Sequence, residues 1–312
     1  ISFILFFLIL PLSSSASTNF FSPQSMAYIL QPDSFNKNRT LAVKALSECD
    51  RDLVVTDYAY NGEAGGKWTK EDISKIRAGK SGRKVVAYIS IGEAEDYRPY
   101  WKRGWKAGAP AFLCTENPDW KGNFKVKYWD KEWQEIILGY IDQIVDQGFD
   151  GVYLDIVDGF EFFEEKDGKY EDNRPNPETG KTYRQDMIKW VMTIAGHARA
   201  KAGPSFLVIP QNGSQLLEFP EYSSEVSAIG IEDLFTEGSK LQKKDHVDYI
   251  LGYLLPFRKS GKSVLLIEYG TNDKSKAASR SGAGKNGFTL LITDRNLKTL
   301  GEAVINHDNA GE

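Results

Sequence analysis

Two acidic residues close strand-like runs in this chain. Asp155 ends Gly151-Val152-Tyr153-Leu154-Asp155, and Glu232 ends Ala228-Ile229-Gly230-Ile231-Glu232. Successive side chains of a strand point to opposite faces. With Asp155 on one face, Tyr153 and Gly151 share it, while Val152, Leu154 and Ile156 take the other. Glu232 likewise groups with Gly230 and Ala228, leaving Ile229 and Ile231 opposite. Two carboxyl groups facing each other across a cleft can hydrolyse a glycosidic bond, one protonating the leaving oxygen while the other attacks or activates water. Either acid alone reads equally well as a strand-end salt bridge. Their joint placement, with small residues beneath Glu232, favours the catalytic pair.

The elements that must position them recur along the chain. Strand-like runs fall at 27–31, 53–59, 84–91, 151–157, 206–211, 228–234, 263–269 and 288–293. Helical stretches lie between them at 36–49, 133–147, 184–201 and 240–259, the first with Leu41, Ala45 and Leu46 on one face. Strands alternating with helices predict right-handed βαβ units and a parallel sheet. Eight such strands in a chain of 312 residues predict a single (βα)₈ TIM barrel over 26–312, with an open doubly wound sheet as the alternative. The longest connections, 92–131 and 158–183, follow the third and fourth strands. In a barrel such loops build the C-terminal face, where active sites form. Polar residues gather at that end of the strands: Asp57-Tyr58, Gly92-Glu93, Asp158, Gln211-Asn212, Glu232-Asp233, Glu268-Tyr269 and Asp294-Arg295.

Other chemistries find little support. A net charge of −4 and the lack of a Lys/Arg block give no reason to expect a nucleic-acid partner. Only three His occur, and neither Cys49 nor Cys114 has a His/Cys constellation around it, so no metal site is expected. The two cysteines are read on opposite faces, a placement that suits two free thiols at least as well as a bridge. Gly261-Lys262-Ser263 and the glycines at 282, 284 and 287 precede strands instead of linking strand to helix, which argues against phosphate or dinucleotide loops, and no cofactor is expected. No Gly-x-Ser-x-Gly elbow is present. Residues 1–16 combine an apolar run with Ser13-Ser14-Ser15-Ala16, the pattern of a signal peptide. A polar linker over 17–25 follows. The expectation is a secreted protein, extracellular or periplasmic, off the membrane once the leader is cleaved; the alternative is an uncleaved anchor.

At these same residues the chain resembles a known family. Ala87-Tyr88-Ile89-Ser90-Ile91-Gly92-Glu93-Ala94-Glu95-Asp96-Tyr97-Arg98, Gly148-Phe149-Asp150-Gly151-Val152-Tyr153-Leu154-Asp155 and Gly230-Ile231-Glu232-Asp233-Leu234-Phe235 are similar to the endo-α-1,4-polygalactosaminidases of glycoside hydrolase family 114. Proteins of this wider group have been labelled cysteinyl-tRNA synthetase-like, yet no His-Ile-Gly-His or Lys-Met-Ser-Lys-Ser signature occurs here. The resemblance implies a (βα)₈ barrel that cleaves α-1,4-linked galactosamine polymers with retention, Asp155 as nucleophile and Glu232 as acid/base, with Tyr88, Glu93 and Asp57 in the sugar subsites. Together with the strand ends, the substrate-binding candidates are Asp57, Tyr58, Tyr88, Glu93, Tyr153, Asp158, Gln211, Asn212, Glu268 and Tyr269.

Counting Asp57, Glu93, Glu95, Asp96, Asp155, Asp158, Glu161, Glu232, Asp233 and Glu268, the expected mouth is strongly acidic. Focused negative potential attracts cations, which suits a polysaccharide whose galactosamine has lost its acetyl groups. Glu95 and Asp96 are expected on the loop rim. The competing expectation pairs half of these acids with Arg98, Lys102, Arg103 and Arg174. A barrel that binds carbohydrate without cleaving it is the alternative function.

Overall fold

The computed structural model describes residues 21–62 and 64–304. The expected signal peptide at 1–16, the start of the linker and His307 lie outside them. Among the described residues, eight parallel strands alternate with helices. They are β1 (Met26–Ile29), β2 (Leu53–Asp57), β3 (Lys84–Ser90), β4 (Gly151–Asp155), β5 (Leu207–Pro210), β6 (Ala228–Glu232), β7 (Ser263–Glu268) and β8 (Thr289–Ile292). The principal helices are α1 (Arg39–Glu48), α2 (Lys70–Ala78), α3 (Lys131–Asp146), α4 (Tyr183–Ala202), α5 (Lys244–Lys259) and α6 (Asp273–Asn286). Local sequence explains their starts: Asn38 and Asp130 cap α1 and α3 through side-chain oxygens, and Thr69–Asp72 and Thr182–Gln185 form capping boxes on α2 and α4.

The strands form two ladders, β1-β2-β3-β4-β5 and β6-β7-β8. A single bridge, Gln211 to Gly230, joins β5 to β6. The outer edge of β8 pairs antiparallel with Glu302–Val304. The remaining seam is held by Leu30 N donating to Leu297 O at 2.9 Å and Thr289 Oγ1 donating to Pro23 O at 2.6 Å.

Alternation sorts the core into two shells. Inside the barrel, Met26, Tyr28, Leu53, Val55, Val86, Tyr153, Ile209, Ala228, Leu265, Ile267 and Leu291 form one cluster to which all eight strands contribute. Outside, the intervening residues meet the helices, among them Val152, Leu154, Ile229 and Ile231, as the alternation predicts. Each such Leu, Ile or Val removed from water stabilises the fold by ~1.5–3 kcal/mol. The first helix differs from expectation. Leu41 is 52% exposed, and the buried face is Ala42, Val43 and Leu46. The glycines at 282 and 284 lie inside α6, and Gly287 ends it in a left-handed conformation. Cys49 and Cys114 are free thiols.

The two long loops carry structure of their own. After β3, Glu93–Glu95, Asn123–Val126 and Leu113–Glu116 make a small antiparallel sheet in that spatial order. After β4, a 3-10 turn, a short helix (Phe160–Glu164) and a hairpin at 165–170 follow in turn. Among the described residues, no helix is long and apolar enough to cross a membrane.

Candidate active site

Asp155 is the last residue of β4 and Glu232 the last of β6. Each is followed by a residue with positive φ: Ile156 at 56° and Asp233 at 51°. Asn212, just beyond β5, is a third at 58°. Left-handed backbone is costly for residues other than glycine, most of all for a β-branched isoleucine. Here it turns the chain sharply at three strand ends around one opening. Ile156 is accommodated because Gly92 faces it; a Cβ there would lie 2.2 Å from the Ile156 carbonyl oxygen.

Asp155 and Glu232 line a single cavity of about 610 Å³ at this end of the barrel, together with Asp57, Tyr88, Glu93, Gln211, Asn212 and Tyr269. Their hydrogen bonding is unequal. Asp155 accepts from Tyr88 Oη at 2.7 Å and from the Ile156 backbone N–H at 2.8 Å. Among the described residues Glu232 accepts from the Tyr269 hydroxyl alone, and its own backbone N–H donates to Asn212 Oδ1 at 3.2 Å. Burial, partly offset by the Tyr88 and Ile156 bonds, pushes the Asp155 carboxyl up to about 6. Burial and then the neighbouring Asp155 charge push Glu232 up to about 7, with the Tyr269 hydroxyl and Arg295 acting the other way. Arg295 stacks over the Tyr269 ring at 4.2 Å and pairs with Asp233 at 2.7 Å.

Beneath the acids lies a floor of tyrosines. Tyr153 fills the barrel interior 5.1 Å from the Tyr28 ring, and Tyr28 Oη donates to Gln211 Oε1 at 3.0 Å. Gly230 makes room for this floor, because a Cβ there would sit 1.8 Å from the Tyr153 hydroxyl. Tyr153, expected to bind substrate, is instead fully buried beneath the cavity.

Four further expectations need correction. Tyr58 is 1% exposed and points away from the barrel interior, packing on Tyr140 at 5.2 Å and against Arg98 at 5.3 Å. Alternation explains this, since Asp57 faces inward. Glu268 is buried on the outer face of β7, where it accepts from Phe235 N at 2.8 Å, Thr236 N at 3.1 Å and the Thr236 hydroxyl. It pins the loop after β6 rather than lining the cavity. Asp158 sits in the turn after β4, off the cavity wall, where burial and Glu161 push its carboxyl up to about 8. Glu95 is not on the rim. It is buried and ion-paired to Arg98 at 2.7 Å, and Arg98 also grips Asp57 at 2.7 and 2.9 Å.

Pairing therefore tempers the acidic mouth. Glu93 lines the cavity but is saturated by Lys125 at 2.6 Å, Asn117 at 2.8 Å and Asn123 at 3.3 Å. The cations that do this are Arg98, Lys125 and Arg295, not Lys102, Arg103 or Arg174. Even so, six carboxylates line the cavity against Arg98, Lys121 and Arg295. Tyr28, Tyr97, Arg98, Trp120 and Arg295 are lining residues absent from the sequence-based candidates. For Tyr28 the signal was available: it alternates with Met26 at the start of β1.

Fold and site together define a class, an α/β barrel with two half-buried acids at the C-terminal ends of its strands, both lining one cavity. The chain belongs to glycoside-hydrolase family GH114, whose family-level match runs over residues 12–310. It is 41% identical over 220 residues to an uncharacterized protein of Methanocaldococcus jannaschii, covering 70% of this chain and 60% of that protein. An uncharacterized protein of Deinococcus radiodurans is 38% identical over 229 residues, covering 73% of this chain and 69% of the relative. The chain thus spans less than two thirds of the first relative's length. Among solved structures, Aspergillus fumigatus Ega3 in complex with galactosamine superposes with a TM-score of 0.63 at 22% identity, covering 90% of this chain and 93% of that one. The glycoside hydrolase domain of PelA from Pseudomonas aeruginosa gives 0.64 at 17% identity, covering 90% and 99%. At these identities the likeness is one of fold.

Proposed function

We propose that this GH114 protein is an exported glycosidase that hydrolyses α-1,4-linked, galactosamine-containing polysaccharide with retention, using Asp155 as nucleophile and Glu232 as acid/base. The observation that carries the roles is the unequal hydrogen bonding of two acids sharing one cavity. A nucleophile must be ionised and a general acid protonated at the same pH, which is achieved by pushing two carboxyl groups apart. Two donors favour the ionised form of Asp155, whereas among the described residues Glu232 has one donor and the Asp155 charge against it, which biases the proton toward Glu232.

The reaction then runs in two displacements. An Asp155 oxygen attacks the anomeric carbon as the glycosidic C–O bond breaks, and the Glu232 proton passes to the departing oxygen. The resulting glycosyl ester on Asp155 is hydrolysed by water, whose proton returns to Glu232 while the ester C–O bond breaks and frees the Asp155 carboxylate. Two inversions leave the α-configuration intact.

The substrate class is supported by the surplus of carboxylates lining the cavity and by the galactosamine bound to the similarly folded Ega3. Export is supported by the apolar run and small residues of 1–16. Incubation with a panel of α-1,4-galactosamine polymers of graded acetylation, with product analysis, tests the reading. Shortened galactosamine oligomers are expected; an untouched panel would reject it.

A further inference from the structure

We infer that Trp120 and Tyr97 form a distal sugar subsite, a fixed aromatic platform for a hexosamine unit of the polymer remote from the scissile bond; the inference rests on the glycosidase reading above. Most aromatic side chains of this chain are committed to the core, yet Trp120 and Tyr97 are each 53% exposed. A scattered exposed aromatic needs no explanation. These two are not scattered, because both line the cavity that holds Asp155 and Glu232.

The turn that carries Trp120 and the ring of Tyr97 are both held in place. Trp120 rides on the turn between the Leu113–Glu116 and Asn123–Val126 strands. Asn117 N donates to Asn123 O at 2.7 Å, Asn123 N to Trp120 O at 3.1 Å, and Gly122 N to Glu116 Oε1 at 2.7 Å. From below, buried Glu93 binds Asn117 and Asn123, tying both ends of the turn to the barrel mouth. Glu93 thus acts by positioning the turn. Tyr97 donates its hydroxyl to Glu95 and lies against the Arg98 guanidinium at 5.0 Å, so its ring is fixed by the same buried network that closes on Asp57.

A rigid, half-exposed ring binds with little loss of side-chain freedom. The flat apolar faces of indole and phenol match the C–H faces of a pyranose, and an ammonium on the sugar gains further from the ring quadrupole. The cavity connects this platform to the acids, which suits a chain of several sugars lying along the mouth.

The test is calorimetric binding of de-N-acetylated α-1,4-galactosamine oligomers of graded length to Asp155→Asn protein, with and without Trp120→Ala. Polymer kinetics in the otherwise unaltered chain accompany it. Trp120→Ala is expected to weaken binding of the longer oligomers roughly tenfold, with a markedly smaller effect on the shortest. In kinetics the same loss should enter through KM, and Trp120→Phe should restore most of it. Equal weakening at every length, unchanged binding, or no oligomer binding at all would overturn the platform. Trp120-dependent binding without any cleavage by the unaltered protein would instead overturn the glycosidase reading and leave the platform standing.

Discussion

The Tyr88 hydroxyl donates to Asp155 Oδ2 at 2.7 Å from the neighbouring strand, and the Tyr269 hydroxyl donates to Glu232 from just beyond the end of the strand beside it. Each bond favours the ionised acid, so each tyrosine governs one limb of the pH profile. The nucleophile must be ionised and the acid protonated, so activity should peak between the carboxyl raised to about 6 and the one raised to about 7. Tyr88→Phe should move the acidic limb to higher pH. Tyr269→Phe should move the alkaline limb to higher pH, as should Arg295→Met. Profiles of kcat/KM across pH check this, and an unmoved acidic limb in Tyr88→Phe would remove Asp155 from the nucleophile's role.

Asp155→Asn and Glu232→Gln should each lower kcat by on the order of 10³-fold or more. Neither should weaken the fold at neutral pH. Burial raises both carboxyl groups, so the folded chain holds these protons more tightly than the unfolded one. Stability from this source is complete below the unfolded carboxyl range of about pH 4, and is lost as pH rises through about 7 for Glu232. Glu232→Gln should therefore be more stable than the parent above pH 7, by on the order of 1–3 kcal/mol, with the advantage vanishing in acid. Denaturant melts at pH 4 and pH 8 measure it; a lower stability at pH 8 would contradict the buried, charge-costly setting.

Gly230 exists to admit the Tyr153 ring, since a Cβ there would fall 1.8 Å from the hydroxyl. Gly230→Ala should destabilise the barrel by about 1–3 kcal/mol through overpacking. Adding Tyr153→Phe removes the atom in closest conflict and should recover part of the loss. A double-mutant cycle with no coupling would show that the two positions do not meet.

How much of this could be read from sequence follows from alternation. Asp155 and Glu232 were legible because each sits at an inward position of a strand whose other inward residues are small or aromatic and whose outward residues are aliphatic. Tyr58 and Glu268 were misplaced for one shared reason: both members of a strand-end pair were assigned to the mouth, whereas only Asp57 and Tyr269 have the inward parity. Asn212 breaks parity yet lines the cavity, and its positive φ is the cause. The ion pairs that neutralise Asp57, Glu93 and Glu95 were not legible, because they depend on how the loop after β3 folds into its own small sheet. The same folding raises Trp120 beside the mouth, far in sequence from either acid. Helical spacing groups Leu41 with Ala45 and Leu46 but does not say which face meets the barrel, and Leu41 is on the exposed side.

The stereochemistry of the first product bears on the mechanism most directly. Cleavage of an α-1,4-galactosamine polymer can be followed by proton NMR during the first turnovers, before the freed sugar mutarotates. A glycosyl ester on Asp155, opened by water under Glu232 catalysis, gives the α-anomer first. Initial appearance of the β-anomer would mean a single displacement by water, and would contradict Asp155 as nucleophile.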